Sequence, residues 1–202
     1  MKIHFSPASP FVRKCLVAAH ELGVAERIEK MPAAAHPVNR NPVIVESNPL
    51  GQVPTFFTDD GTVLFDSAVI VEYLDTTFGG ALLPKAGAAR WQVLTEHALA
   101  DGMLGALLLA RYEVAVRPEP LRWTAWTDGQ LDKVWAGLRW LEEAAPKFGK
   151  RVDIATISFG CALGYLDFRF AEFDWRDGAP AAAAWFAECS ERPSMKATFP
   201  GG

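Results

Sequence analysis

The sequence predicts an α/β N-terminal domain followed by an all-α second domain. Two observations carry this. Up to about residue 78, short apolar segments alternate with one another and with helix-period stretches; beyond a Gly- and Pro-rich passage, Phe78-Gly79-Gly80-Ala81-Leu82-Leu83-Pro84-Lys85-Ala86-Gly87, the apolar residues recur only at three- and four-residue steps. The predicted organisation is a first domain over residues 1–78, a linker over 79–88 and a helical domain over 89–202.

In chain order, residues 2–5 read as a strand, and 10–22 as a helix that opens on Ser9-Pro10 and stops at Gly23. Residues 27–31 alternate and suit a second strand, which makes a βαβ unit. Pro32, Pro37, Pro42 and Pro49 keep the next stretch irregular, with at most a helical turn around 43–47. Residues 55–58 and 62–65 form a hairpin across Asp59-Asp60-Gly61, and Asp66-Ser67 starts a helix over 68–77. In the second half, 89–115 is one long helix, broken at Arg117-Pro118-Glu119-Pro120. A helix over 123–145 puts Trp123, Leu131, Val134, Trp135, Leu138 and Leu141 largely on one stripe, expected to be core. The stretch 153–167 is apolar on nearly every face, as a helix buried mid-domain would be, with Asp153 as its cap and Thr156 as the reciprocal partner. A last helix over 181–192 and a tail over 195–202 complete the helical domain.

Composition narrows the function. The 202 residues are half apolar and carry a net charge of -4 with acids and bases interspersed. No basic stripe follows a phosphate backbone, so nucleic acid is not an expected partner. The run Met103-Leu104-Gly105-Ala106-Leu107-Leu108-Leu109-Ala110 is too short to span a bilayer and stops at Arg111, so no membrane is expected. Cys15, Cys161 and Cys189 are few and scattered, which suits a reducing compartment, and His4, His20, His36 and His97 lack ligand spacing, so no metal site is expected. The sequence opens on a strand without a basic-then-apolar leader, and the expected location is the cytoplasm.

Two helix starts carry the candidate chemistry. Ser9 stands before Pro10 where its hydroxyl caps the first turn, and Asp66-Ser67 stands where the next helix begins. Each is explained by capping alone; each also offers backbone N–H groups and the positive end of a helix to an anion. Between them lies Asn48-Pro49-Leu50-Gly51-Gln52-Val53-Pro54-Thr55-Phe56, whose Val53-Pro54 bond is expected to be trans on general grounds.

Taken together in this order, Ser9-Pro10-Phe11, Gly51-Gln52-Val53-Pro54 and Asp66-Ser67, followed by a helical second half, resemble the glutathione S-transferase family in its bacterial, serine-type form, over essentially the whole chain. The resemblance implies a thioredoxin-like first domain. It also implies glutathione as co-substrate, bound by Ser9, Phe11, Gln52, Val53, Pro54, Asp66 and Ser67, with Val53-Pro54 held cis so that the Val53 backbone pairs with the tripeptide. Ser67 and Asp66 would hold the γ-glutamyl end. Ser9 would be the catalytic residue, its hydroxyl donating to the glutathione sulfur. A serine there cannot form a mixed disulfide, which disfavours thiol exchange. Ser6 is a rival, poorly placed relative to the helix start, and Cys15 is expected to be core. An electrophile site between the domains is expected to involve Met103, Leu107, Arg111 and Tyr112. The resemblance further implies a homodimer, with Asp101 at a position from which some members reach the partner's glutathione, and a role in detoxification. The expected reaction is conjugation of the glutathione thiolate to a hydrophobic electrophile. Two alternatives stand beside it: a transferase-fold protein that binds glutathione or a protein partner with little catalysis, and a glutathione-dependent isomerase or dehalogenase.

Overall fold

The computed structural model describes residues 1–200, which separate into two compact units. The first takes in Met1–Lys85 together with the segment that begins at Pro193; the second is Ala86–Arg192.

In the first unit, β1 (Lys2–Phe5) turns into α1 (Pro10–Glu21), and a short 3-10 turn at Ala25–Arg27 leads to β2 (Glu29–Pro32), parallel to β1. This is the βαβ unit that the spacing predicts. After α2 (Pro42–Val45), the hairpin strands β3 (Phe56–Phe57) and β4 (Val63–Leu64) complete a mixed sheet in the order β2-β1-β3-β4. They pair over two residues each, shorter than the alternation suggests. One reason is that Thr58 turns away early: its N–H donates to the Thr62 carbonyl at 3.0 Å, and Asp60 accepts from the Thr62 N–H at 3.1 Å. The helix α3 (Ser67–Thr77) packs on α1. Ile3, Phe56, Val12, Ile70 and Leu74 are all fully buried and make the core of this unit.

The second unit is all helical: α4 (Gly87–Ala115), α5 (Thr124–Phe148), α6 (Ile154–Arg169) and α7 (Pro180–Ser190). The middle of the unit is α6, buried continuously from Ile154 to Leu166. It opens on a reciprocal cap: the Asp153 carboxylate accepts from the Thr156 N–H at 2.9 Å, and the Thr156 hydroxyl accepts from the Asp153 N–H at 3.0 Å. Arg151 bridges this cap to α4, pairing with Asp153 at 2.7 Å and with Glu96. By length and composition α4 could cross a membrane; here half of its most apolar window is buried within the structure, and α4 packs on α5 and α6. The close approach of α4 to α5 needs Gly137, where an added Cβ would lie 2.4 Å from the Met103 sulfur.

Two expectations are corrected. Val134, Leu138 and Leu141 are fully buried as the stripe on α5 requires, and Trp135 stacks on Phe173, but Trp123 is 64% exposed. It stands at the cap before α5 begins, so helical spacing does not apply to it; its N–H donates to Glu113 at 2.8 Å. The tail, assigned from sequence to the helical domain, belongs to the first unit as α8 (Pro193–Ala197). Arg13 of α1 donates to the Met195 carbonyl at 3.2 Å, Ser194 bonds Glu21, and Met195 is 1% exposed. Positions 201 and 202 of that tail lie outside the described residues.

Candidate functional site

Three segments of the first unit bring the predicted residues Ser9, Phe11, Gln52, Val53, Pro54, Asp66 and Ser67 to the ends of secondary-structure elements. The first is the start of α1. Ser9 has extended backbone, and its Oγ accepts from the Val12 N–H at 3.3 Å. In that role the oxygen is an acceptor, so the hydroxyl hydrogen remains available for donation. Pro10 has no N–H and Val12's is capped, which leaves the Phe11 N–H as the first-turn donor without a partner among the described residues. One turn on, α1 carries two buried cations. Lys14 is fully buried with its Nζ 5.5 Å from the half-buried Phe11 ring, and Arg13 is 6% exposed with its Nε and Nη1 unbonded. The helix dipole favours an anion near Ser9. Ser6 does not cap α1; its carbonyl accepts from the Ser9 N–H at 3.1 Å and closes the turn.

The second segment is the loop before β3. Val53-Pro54 is cis, as the resemblance implies and against the general expectation. Two residues that sequence reasoning left without a role build this loop. Asn48, 1% exposed, donates to the Gln52 carbonyl at 3.2 Å and to the Thr55 hydroxyl at 3.0 Å, and Thr55 donates to the same Gln52 carbonyl at 2.9 Å. Gly51, between them, has φ +64° and sits under Val45 and Arg40, where an added Cβ would come within 3.2–3.3 Å. The signal for Asn48 was the Asn-Pro pair with a glycine two residues later, a turn signature. The result is that Val53 presents a backbone N–H and C=O with no hydrogen bond among the described residues, a short open strand edge. Gln52 is exposed beside it and Pro54 buried.

The third segment is the start of α3. The exposed Asp66 caps it, accepting from the Ala68 N–H at 3.0 Å, while Ser67 is 1% exposed. The starts of α1 and α3 are tied together, because the buried Cys15 thiol donates to the Ser67 carbonyl at 3.8 Å. Cys15 is 1% exposed and in the core, as expected.

In the second unit, Met103 and Leu107 are buried in the packing of α4, whereas Arg111 and Tyr112 are half-buried. Asp101 is held by His97, one turn earlier, at 3.0 Å. On α6, Tyr165 is 5% exposed, and burial pushes its phenol up against the opposing pull of Arg169 and Arg111.

A βαβ unit with a serine-capped first helix and a cis-proline loop, followed by an all-helical second unit, makes up the two-part architecture of the glutathione S-transferase fold. The chain belongs to the glutathione S-transferase family: the family models for the N-terminal and C-terminal domains match residues 8–77 and 124–188. It is similar to a glutathione transferase family member from Pseudomonas fluorescens Pf-5 solved with bound glutathione, at 45% identity and a TM-score of 0.96 over 100% of this chain and 99% of that one. A second structure of that family member holds S-(propanoic acid)-glutathione. Among curated relatives, the GST-like protein YibF of Escherichia coli K12 is 32% identical over 99% of this chain and 98% of its own. Elongation factor 1-gamma of Danio rerio is 28% identical over 91% of this chain, which spans 42% of that protein.

Proposed function

We propose that the protein is a glutathione transferase that joins the glutathione thiolate to a hydrophobic electrophile, with Ser9 as the catalytic residue. The observation that carries this is the Ser9 hydroxyl at the start of α1, spending its acceptor capacity on the Val12 N–H and keeping its hydrogen for a sulfur. Free cysteine thiols have a pKa of about 8.5, and lowering it by about two units takes roughly 2.7 kcal/mol of differential stabilisation. A donated hydrogen bond and the helix end both act in that direction. The open edge of Val53 suits the peptide part of glutathione, and Asp66 with the α3 N-terminus suits its zwitterionic γ-glutamyl end, with Phe11, Gln52 and Pro54 walling the site. The bound ligands of the Pseudomonas relative, glutathione and an S-substituted glutathione, support the same assignment.

In the reaction the thiol gives its proton to water and the sulfur lone pair forms the S–C bond. A displaced group leaves with the bonding electrons, or, in addition to an activated double bond, the neighbouring carbon takes a proton from water. Isomerisation or dehalogenation would use the same thiolate. We place the protein in the cytoplasm as a homodimer acting in detoxification, on the family likeness.

A second possibility, binding of glutathione or a protein partner without turnover, is favoured by the likeness to elongation factor 1-gamma. Calorimetric titration with glutathione, followed by ultraviolet absorbance of the bound thiolate against pH, separates the two. Binding with a lowered thiol pKa supports the transferase; binding without the shift, or no binding, supports the second possibility.

A further inference from the structure

His4 lies on β1, is 5% exposed, and meets the Phe57 ring of β3 edge-on with centroids 5.3 Å apart. Its Nε2 is 3.4 Å from the Ser47 Oγ, and that hydroxyl donates to the Ile44 carbonyl at 3.2 Å. With its hydrogen spent there, Ser47 accepts from the ring, which assigns the ring proton to Nε2 and leaves Nδ1 a bare acceptor. Nδ1 is buried and has no partner among the described residues. The same residue pins both ends of the loop that presents Val53. Its side chain holds Ser47 before the loop, and its backbone N–H donates to the Thr55 carbonyl after it at 2.8 Å. Between those two points Asn48 and Thr55 converge on the Gln52 carbonyl. Among the described residues no acid stands ready to pair with a charged ring. Lys2 and Glu29, on β1 and β2, pair with each other at 3.2 Å, and Lys30 of β2 lies over the Phe5 ring. Asp59, beyond β3, is taken by the N-terminal ammonium and Arg27; Glu46, at the end of α2, is exposed, and Arg40 is bonded to the Pro49 carbonyl.

We propose that His4 is a positioning residue for the glutathione site: its uncharged ring pins the loop from Ser47 to Thr55, and a proton on Nδ1 releases that loop and weakens binding in acid. This rests on the glutathione-binding reading and adds regulation of the same site by pH. A proton on Nδ1 creates a buried donor with no acceptor and a buried charge with no carboxylate, and swinging the ring out to water relieves both. The ring then gives up its bond to Ser47, and Asn48, the next residue, loses the anchor from which it shapes the Gln52 carbonyl. Burial holds the ring's pKa below its ordinary 6.5, with no charged neighbour acting on it. The folded loop therefore favours the neutral ring. Its contribution is fully present above the ordinary value and is lost as pH falls through the lowered one.

The test uses S-methylglutathione, whose sulfur cannot ionise, so that the titration of the thiol drops out. The protonated chain should bind it about tenfold more weakly, the size of one unpaired buried donor, and calorimetry on the full chain should show affinity falling from about pH 7 to about pH 5. His4→Gln keeps an N–H donor for Ser47 and takes no proton, so its affinity should stay flat over that range. By reciprocity, saturation with S-methylglutathione should lower the His4 ring pKa of the native chain by about one unit, read from its imidazole NMR signals; this measurement needs no variant to fold. A flat affinity in the native chain, a fall that persists in His4→Gln, or a ring pKa that the ligand leaves in place overturns the proposal. A chain that binds S-methylglutathione at no pH refutes the glutathione-site reading instead. The hold of His4 on the loop is then decided by amide hydrogen exchange at Leu50 and Gly51, whose N–H groups both bond to Asn48. Protection lost in acid by the native chain but kept by His4→Gln supports it, and protection that changes equally in both, or in neither, overturns it.

Discussion

Ser9→Ala removes one oxygen with two roles of different size. As a cap, the Oγ accepts from Val12 at 3.3 Å, a long bond, so the loss should fall near the low end of the usual cap contribution, about 0.5 kcal/mol. For a chain of this size that lowers the melting temperature by about 1–2 °C. As a donor to a thiolate the same hydroxyl makes a bond to a charged group, about 1.5–3 kcal/mol, which raises the bound thiol pKa by about 1–2 units. Below the native thiol pKa, kcat/KM should therefore drop about 10- to 100-fold. The deficit should shrink as pH rises through the variant's own thiol pKa, because the thiolate then forms without help. The assay is kcat/KM against pH with a chromogenic electrophile, alongside ultraviolet titration of bound glutathione. An unchanged thiol pKa with unchanged kcat/KM would refute the reasoning and leave Ser9 as a cap alone.

Three further outcomes follow from the same geometry. Ser9→Cys places a thiol at the start of α1 and should take up glutathione from its disulfide form by exchange, releasing one glutathione thiol; mass spectrometry should show an adduct that reductant removes and that the native chain does not form. Asp153→Ala strands the Thr156 N–H and removes one of the two carboxylates on Arg151, and should destabilise by about 2–4 kcal/mol in denaturant unfolding; a loss under 1 kcal/mol would contradict a structural role for the capping box. The Trp123 N–H and then Arg117 hold the Glu113 carboxyl below its ordinary 4.5. A carboxylate whose pKa is depressed by folding contributes stability that is fully present above the unfolded value and fades as pH falls through the folded one. The melting temperature of Glu113→Gln should therefore lie below that of the native protein at neutral pH and converge with it in acid; a constant gap across that range would contradict the assignment.

The parts of this protein legible in sequence are those fixed by local chemistry. Ser9, Asp66 and Asp153 announce helix starts because capping is settled within three residues, and each caps where the pattern placed it. The buried run of α6 was equally plain, since a helix apolar on all faces has one place to go. What depended on contacts far apart in sequence was hidden. Trp123 lies on the extrapolated stripe of α5 but precedes its first turn, a boundary that periodicity does not mark. The loop around Val53-Pro54 was recognised by its motif, while the work of Asn48 in shaping it emerged only from the hydrogen bonds it makes.

Because α8 belongs to the first unit, the thioredoxin-like part of this chain is discontinuous in sequence. During synthesis the ribosome releases β1 through α3 early, but the Met195 carbonyl that receives Arg13 emerges only after the entire helical unit has been made. Until then α1, the helix that carries Ser9, exposes a guanidinium and the apolar surface that Met195 later covers. An excised fragment ending at Lys85 would keep that deficit permanently, so exchanging glutathione-binding halves between relatives requires moving two pieces of chain together.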